Sequence, residues 1–329
     1  MIAFVFPGQG AQQVGMGQAL AAAYPEARRT FDEADAAFAE GLPRASGADQ
    51  PESRGRSLSA LCFEGPEDQL MLTETTQPAI LAMSIAACRV LEAQGIRPAF
   101  VAGHSLGEYS ANVAAGTIAF ADAVRLVRRR GRYMQEAVPV GVGAMAAILG
   151  ADLALVQQAC DEAAQGEIVS PANINAPGQI SIAGHTAAVQ RASERAKALG
   201  AKRVIPLSVS APFHCALMLP AEARLEPELR DLTTSHPRVP IVANVDAQPK
   251  REAWAAIDAL VRQVSAPVRW SDVVERLASE GVTTYVEVGP GTVLSGLVRK
   301  INKEARVVQF GSPDDLGAIV TACSTSAEN

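Results

Sequence analysis

Phe100-Val101-Ala102-Gly103-His104-Ser105-Leu106-Gly107-Glu108 sets a short apolar run against a glycine-flanked serine. The apolar run reads as a buried strand. Gly-x-Ser-x-Gly reads as the sharp turn after it, and residues 108–116 and 121–137 as helices behind it. A serine hydroxyl is a weak nucleophile unless it is exposed, stripped of its proton in flight and set beside donors for an oxyanion. A strand-to-helix turn supplies the exposure, and flanking glycines tolerate its backbone and close packing. The helix aims N–H groups and a positive dipole end at the developing charge, which makes the Leu106 N–H the natural oxyanion donor. The bland alternative, a chance pattern in a tight turn, is disfavoured by the strand–turn–helix setting. Ser105 is therefore expected to carry a covalent acyl group.

Working outward, strands alternate with helical stretches, as in a mostly parallel sheet covered by helices. Residues 2–6 read as the first strand, 14–40 as a helix and 78–94 as a helix opening with Pro78. Residues 41–60 are rich in Gly, Pro, Ser and charge and read as a long exposed loop. Near residue 141 the texture changes. Strand 143–149, helix 152–164, strands 168–174 and 179–183, helix 186–199 and strand 203–209 give a β-α-β-β-α-β order, the ferredoxin-like arrangement. After residue 210 the first rhythm returns: helix 215–231, strand 239–245, helices 252–264 and 271–280, strand 283–288 and helix 292–303. The last residues, TACSTSAEN, read as a frayed polar end. The fold expected is α/β, a large catalytic domain of residues 1–139 and 211–312. A ferredoxin-like small domain of residues 140–210 is inserted in it, and 313–329 form a tail.

Composition narrows the class. The 329 residues are 48% hydrophobic and 19% charged with a net charge of −6, which suits a globular enzyme and does not suggest nucleic acid. No apolar run approaches the roughly 20 residues that span a bilayer. Five scattered cysteines form no CxxC pair, and the N-terminal apolar run has no basic flank. A cytoplasmic protein with reduced thiols is expected.

Phe6-Pro7-Gly8-Gln9-Gly10-Ala11-Gln12 ends the first strand in a glycine-rich turn. It lacks GxGxxG and the acidic residue of a dinucleotide site. A turn at a strand's C-terminal end lies where α/β sites form, so the Gln9 N–H is a candidate second oxyanion donor; a phosphate loop or a plain turn is the alternative. Ser105 needs a base, and four histidines are available. His104 adjoins the serine, but neighbouring side chains diverge. His236 sits in a polar loop, and His185 suits a structural role. His214, at the C-terminal end of a strand and after the Pro212 turn, is preferred. No third member of a triad stands out. Asp152 reads equally as a helix N-cap, and Asp246 and Glu287 follow His214, the wrong order for a hydrolase triad. A backbone carbonyl could orient the imidazole instead.

Helix 121–137 carries five arginines. Arg125, Arg128, Arg129 and Arg132 share a polar face, whereas Arg130 falls among Ala123, Leu126, Val127 and Met134. A buried arginine needs an anionic partner, either a structural salt bridge or a substrate carboxylate gripped by the guanidinium. A simple esterase has no use for the second.

FPGQGAQ at 6–12, GHSLGE at 103–108, Arg130, SAPFH at 210–214 and EVGPG at 287–291 resemble the malonyl-CoA:acyl-carrier-protein transacylases. FADAVRLV, MQEAVP and HCALM resemble the bacterial enzyme of fatty-acid synthesis, and the likeness runs over residues 2–312. The resemblance implies an α/β-hydrolase-like large domain with a ferredoxin-like small domain. It implies that Ser105 takes a malonyl group, His214 is the base, Arg130 holds the malonyl carboxylate, and the Gln9 and Leu106 N–H groups form the oxyanion hole. It also implies that the main-chain carbonyl of Gln263 orients the histidine. Phe213, with Leu106, fits a preference for malonyl over methylmalonyl. Acyl carrier protein and malonyl-CoA are the implied partners, with no cofactor, no metal, no nucleic acid, no membrane and a monomeric state. The 41–60 loop looks longer than the family's usual version. Acidic carrier proteins call for a local basic patch, for which Lys202, Arg203, Arg299 and Lys300 are the candidates. The competing readings are a free-standing acyltransferase of a polyketide synthase, a serine thioesterase or esterase, and a non-catalytic docking subunit.

Overall fold

Strand β1 (Ile2–Phe6) lies at the middle of a six-stranded sheet, with four of its five residues buried. A computed structural model describes residues 1–40, 56–209 and 211–324. Strand β2 (Phe100–Gly103) runs parallel beside β1, pairing Phe6 with Gly103. Strands buried on both faces read as continuous apolar runs, as these two do. Strands β3 (Gly143–Leu149), β4 (Val169–Ala176), β5 (Gln179–His185) and β6 (Arg203–Pro206) belong to a second sheet. Strands β7 (Ile241–Val242), β8 (Pro249–Lys250), β9 (Thr284–Val288) and β10 (Arg306–Phe310) complete the first. Its order is β10-β9-β1-β2-β7-β8, parallel throughout except for β8 on the edge. Helices cover both faces, with Phe4, Phe6 and Phe31 in the core on one side and Trp270 and Tyr285 on the other. This is the α/β class that the strand–helix alternation implies.

The second sheet is antiparallel, in the order β4-β5-β3-β6. Helices Leu153–Ala164 and Thr186–Ala198 pack on it around a core that includes Ile148, Val156 and Ile182. The strand order and the two helices are those of the ferredoxin-like arrangement. Main-chain bonds from Ile174 N to Val268 O (2.9 Å) and from Val268 N to Ala172 O (2.9 Å) stitch β4 onto the first sheet's surroundings.

Several elements differ from the sequence-based expectation. The helix expected over 14–40 is two, Gln18–Ala23 and Pro25–Glu40. Tyr24 is extended between them (φ −128°, ψ 121°), as a residue before proline prefers. The helix expected from Pro78 starts earlier and runs over Thr73–Ala93, with Pro78 inside it; proline marks a helix start only by preference. Of the 41–60 loop, residues 41–55 lie outside the described residues. Leu58 begins a helix, Leu58–Glu64, whose Ser57 cap accepts the Ala60 N–H (3.2 Å) and whose Leu58, Leu61 and Cys62 are buried. The strand expected over 239–245 pairs only at Ile241–Val242. The chain then turns back, Ala243 N bonding Gln248 O. Instead of one helix over 215–231, a single turn at Ala216–Met218 precedes helix Leu219–Arg230. Residues 321–324 are not frayed: helix Leu316–Ser324 buries Ile319 and Ala322 against the body. Residues 325–329 lie outside the described residues.

Candidate active site

Ser105 stands at the C-terminal end of β2 and directly precedes helix Leu106–Ala114. Its backbone is left-handed (φ 51°, ψ −105°), a conformation that costs a non-glycine residue of order 1–3 kcal/mol. Neighbours hold it there. The Ser105 N–H donates to Asn244 Oδ1 (2.8 Å), and the Ser105 carbonyl accepts from Gln263 Nε2 (2.8 Å). The flanking glycines are sterically required. A Cβ on Gly103 would sit 2.0 Å from the Gly107 carbonyl, and one on Gly107 2.0 Å from the Phe6 carbonyl oxygen. That approach lets the turn lie against the end of β1, where His104 N bonds Phe6 O (3.0 Å).

His214 follows β6, in a turn that also gives it a positive φ of 60°. Its Nε2 lies 2.7 Å from Ser105 Oγ and its Nδ1 3.0 Å from the main-chain oxygen of Gln263. A carbonyl can only accept, so Nδ1 carries the proton and Nε2 presents its lone pair to the serine hydroxyl. Burial, and then the Arg130 charge, lower the His214 pKa to about 3. The ring is therefore neutral and ready to take a proton.

Arg130 is 1% exposed, on the inner face of helix Phe120–Glu136. Nη1 donates to Gln77 Oε1 (2.9 Å), and Nη2 to Gln263 Oε1 (2.9 Å) and to Ser105 Oγ (3.2 Å). The guanidinium lies over the Tyr109 ring at 5.1 Å, and its Nε has no partner among the described residues. The three oxygens to which it donates, on Gln77, Gln263 and Ser105, are neutral. Burial lowers its pKa, while the neighbouring Tyr109 and Glu108 work the other way.

The other expected positions fall around the same cavity, which holds about 460 Å³ and is lined from both sheets. Gln9 and Phe213 both line it. Leu106 opens the helix after the serine. Neither the Gln9 N–H nor the Leu106 N–H donates to an acceptor among the described residues. Gln263 ends helix Ala253–Gln263, fully buried, and touches the histidine with its backbone and the arginine with its side chain.

The alternative histidines and acids are occupied elsewhere. His104 Nε2 donates to Asn175 Oδ1 across the two sheets (2.9 Å). His185 Nδ1 accepts the Ile168 N–H, and exposed His236 accepts that of Ala253. Asp152 caps its helix through the Leu155 N–H (2.8 Å), Asp246 pairs with Lys250 (2.6 Å), and Glu287 receives the Leu294 and Ser295 N–H groups. No carboxylate bonds His214 among the described residues. Lys202, Arg203, Arg299 and Lys300 are all exposed. Lys300 Nζ reaches Gln179, which also lines the cavity.

Three residues escaped the sequence reading: Gln77, Glu108 and Asn244. Glu108 follows the serine by three positions, fully inside, and its Oε2 accepts from Asn244 N (3.1 Å) and Gln263 Nε2 (2.8 Å). Desolvation raises its pKa to about 7 against the pull of these donors. A signal did exist for Glu108, since a charged residue in the first turn of an otherwise apolar helix needs polar company. Gln77 and Asn244 carry no comparable local mark.

A serine hydroxyl bonded to a neutral imidazole, with a buried cation 3.2 Å from its oxygen, the Leu106 N–H next in the chain and Gln9 on the wall of the same cavity, suits transfer of a negatively charged acyl group. The family model for the acyl transferase domain matches residues 3–315. The malonyl CoA-acyl carrier protein transacylase of Salmonella typhimurium is 51% identical over 320 residues, 97% of this chain and 98% of that protein. An acyl carrier protein S-malonyltransferase from Vibrio cholerae superposes with a TM-score of 0.90 at 45% identity, over 97% of this chain and 99% of that one. A malonyl-transacylase solved in complex with its holo type II PKS acyl-carrier protein superposes at 0.89 and 46% identity, over 96% of this chain and 98% of that one. With a family model over nearly its whole length and half its residues shared with a full-length relative, the chain belongs to the malonyl CoA-acyl carrier protein transacylase family.

Proposed function

We propose that this chain moves a malonyl group from CoA to the phosphopantetheine thiol of acyl carrier protein through a malonyl-Ser105 intermediate, in fatty acid synthesis. The observation that carries the reading is Arg130: a buried cation that donates only to neutral oxygens among the described residues, in contact with the nucleophile. A malonyl carboxylate supplies the charge it lacks, and bidentate pairing sets the thioester carbon over Ser105.

His214 Nε2 takes the hydroxyl proton as Ser105 Oγ attacks the thioester carbonyl. The oxyanion forms between the N–H groups of Gln9 and Leu106, each such donor being worth ~3 kcal/mol of barrier. Collapse breaks the C–S bond, and the imidazolium returns its proton to the leaving CoA thiolate. The carrier thiol then enters, gives its proton to His214 and attacks the acyl-serine; breaking the C–O bond regenerates the hydroxyl. The Gln263 carbonyl keeps the Nδ1 proton in place throughout, so no triad acid is needed. Nothing in this cycle calls on a cofactor. Among the described residues no group of three or more His, Cys, Asp or Glu could hold a metal ion, and no helix is long and apolar enough to cross a membrane.

The same reading takes residues 1–139 and 211–312 as the catalytic domain, 140–210 as the small domain and 313–329 as the tail. It takes the protein as a cytoplasmic monomer, with Phe213 narrowing the acyl pocket and Lys202, Arg203, Arg299 and Lys300 facing an acidic carrier. Service to a polyketide carrier is a second reading, favoured by the similarity to a transacylase bound to a type II PKS carrier. Intact-mass measurement after mixing with malonyl-, methylmalonyl- and acetyl-CoA tests the chemistry. A malonyl adduct on the wild type and none on Ser105→Ala is expected; a malonyl adduct on Ser105→Ala would refute it. Transfer rates to fatty-acid and polyketide carriers decide between the two pathways.

A further inference from the structure

We infer that Glu108 is a positioning residue for acyl selection: it dictates which end of the Gln263 amide faces Arg130. The inference rests on the reading of Arg130 as the partner of the malonyl carboxylate.

A glutamine amide has an accepting end and a donating end of nearly the same shape, and its surroundings alone choose between them. At Gln263 the choice has consequences. Oε1 accepts from Arg130 Nη2 (2.9 Å), while Nε2 donates to Glu108 Oε2 (2.8 Å) and to the Ser105 carbonyl (2.8 Å). Turned over, the amide would set its NH₂ against the guanidinium and its oxygen against three others, since Nε2 also lies 3.4 Å from Asn244 Oδ1. Among the described residues Glu108 is the one carboxylate at the donating end, the other two acceptors there being neutral. Its Oε2 also takes the main-chain N–H of Asn244 (3.1 Å), whose own Oδ1 holds the Ser105 N–H (2.8 Å). Among the described residues the carboxylate makes no hydrogen bond or ion pair with Arg130, which it attracts through space. Its hydrogen-bonded route to Arg130 runs through Gln263. His214 depends on the Gln263 main-chain oxygen, which the amide's orientation does not move.

This separation makes the role testable. In Glu108→Leu the kcat/KM for malonyl loading should fall about 10- to 100-fold, the range for a lost hydrogen bond to a buried charge. Labelling of Ser105 by an uncharged fluorophosphonate, which needs the serine and the base but not Arg130, should stay near wild type. In a Gln263→Leu background the Glu108→Leu change should cost far less than it does alone. Glu108→Gln, whose amide can donate and so turn Gln263 over, should show the same pattern in milder form, and serves if the leucine variant folds poorly. Independent, multiplying losses in the double variant, or equal loss of labelling and malonyl loading, would overturn the assignment. Failure of the underlying reading looks different: Arg130→Ala would then slow malonyl and acetyl transfer alike.

Discussion

The two faces of helix Phe120–Glu136 treat the same residue type in opposite ways. On the outer face Arg125 pairs with Glu40 and Asp122, Arg129 with Glu228 and Arg132 with Glu136. Arg128 donates to the Phe38 carbonyl and stacks on its ring at 3.9 Å. On the inner face Arg130, the most buried of them, donates to amide and hydroxyl oxygens and to no carboxylate among the described residues. Pairing is abundant where water makes it worth little, and missing where burial makes it matter. A structural arginine would follow the opposite pattern. On the proposed function, the inner face awaits an anion that arrives from outside the chain.

The largest effect expected from this contrast is on Arg130→Ala, where malonyl kcat/KM should drop about 100- to 1,000-fold while an uncharged acetyl donor is partly spared. Steady-state transfer with both donors measures it, and equal losses would erase the distinction between the faces. Next, Arg130→Met should leave stability unchanged or raise it by about 1–3 kcal/mol, because an uncompensated buried charge is replaced by a packed side chain. Urea unfolding reads the change, and a clear destabilisation would mean that Arg130 is structural after all.

A third expectation concerns His214. Its folded pKa of about 3 lies below the ordinary value of 6.5, so the unfolded chain binds a proton over that interval that the folded one refuses. This group's contribution to stability therefore falls as pH drops from 6.5 towards 3. The rate of Ser105 labelling by a fluorophosphonate should show no inflection near 6.5. Because the Arg130 charge helps to depress this pKa, Arg130→Met should move the inflection upward. An inflection near 6.5 in the wild type would contradict the buried, neutral base. The smallest effect belongs to the outer face. Arg129→Met should change stability by about 0–1 kcal/mol and leave malonyl transfer as it was.

Local pattern carries much of this architecture. A three-residue apolar run before Gly-x-Ser-x-Gly marks β2 and the turn, and helical periodicity separates Arg130 from its four neighbours. The β-α-β-β-α-β rhythm of the second sheet is equally visible. What escapes is of two kinds. Proline and polar composition mislead at Pro78 and Leu58, where tertiary packing extends a helix through one and starts a helix inside the other's polar stretch. The amide network escapes for another reason: Gln77 and Asn244 meet Arg130 and Ser105 across 53 and 139 positions, and neither sits in a pattern that announces it. Adjacency of that kind is created only when β7 pairs with β2 and helix Thr73–Ala93 packs on helices Leu106–Ala114 and Phe120–Glu136.

Gln263 offers its two ends to mutation unequally. The oxygen that aligns His214 belongs to the main chain, and every amino acid would bring one. The oxygen that steadies Arg130 belongs to the side chain and disappears with a single codon change. If His214 and Arg130 act as proposed, proton transfer at this site is shielded over evolutionary drift while the choice of acyl group stays open to selection. A scaffold built this way can change what it carries without losing the ability to carry.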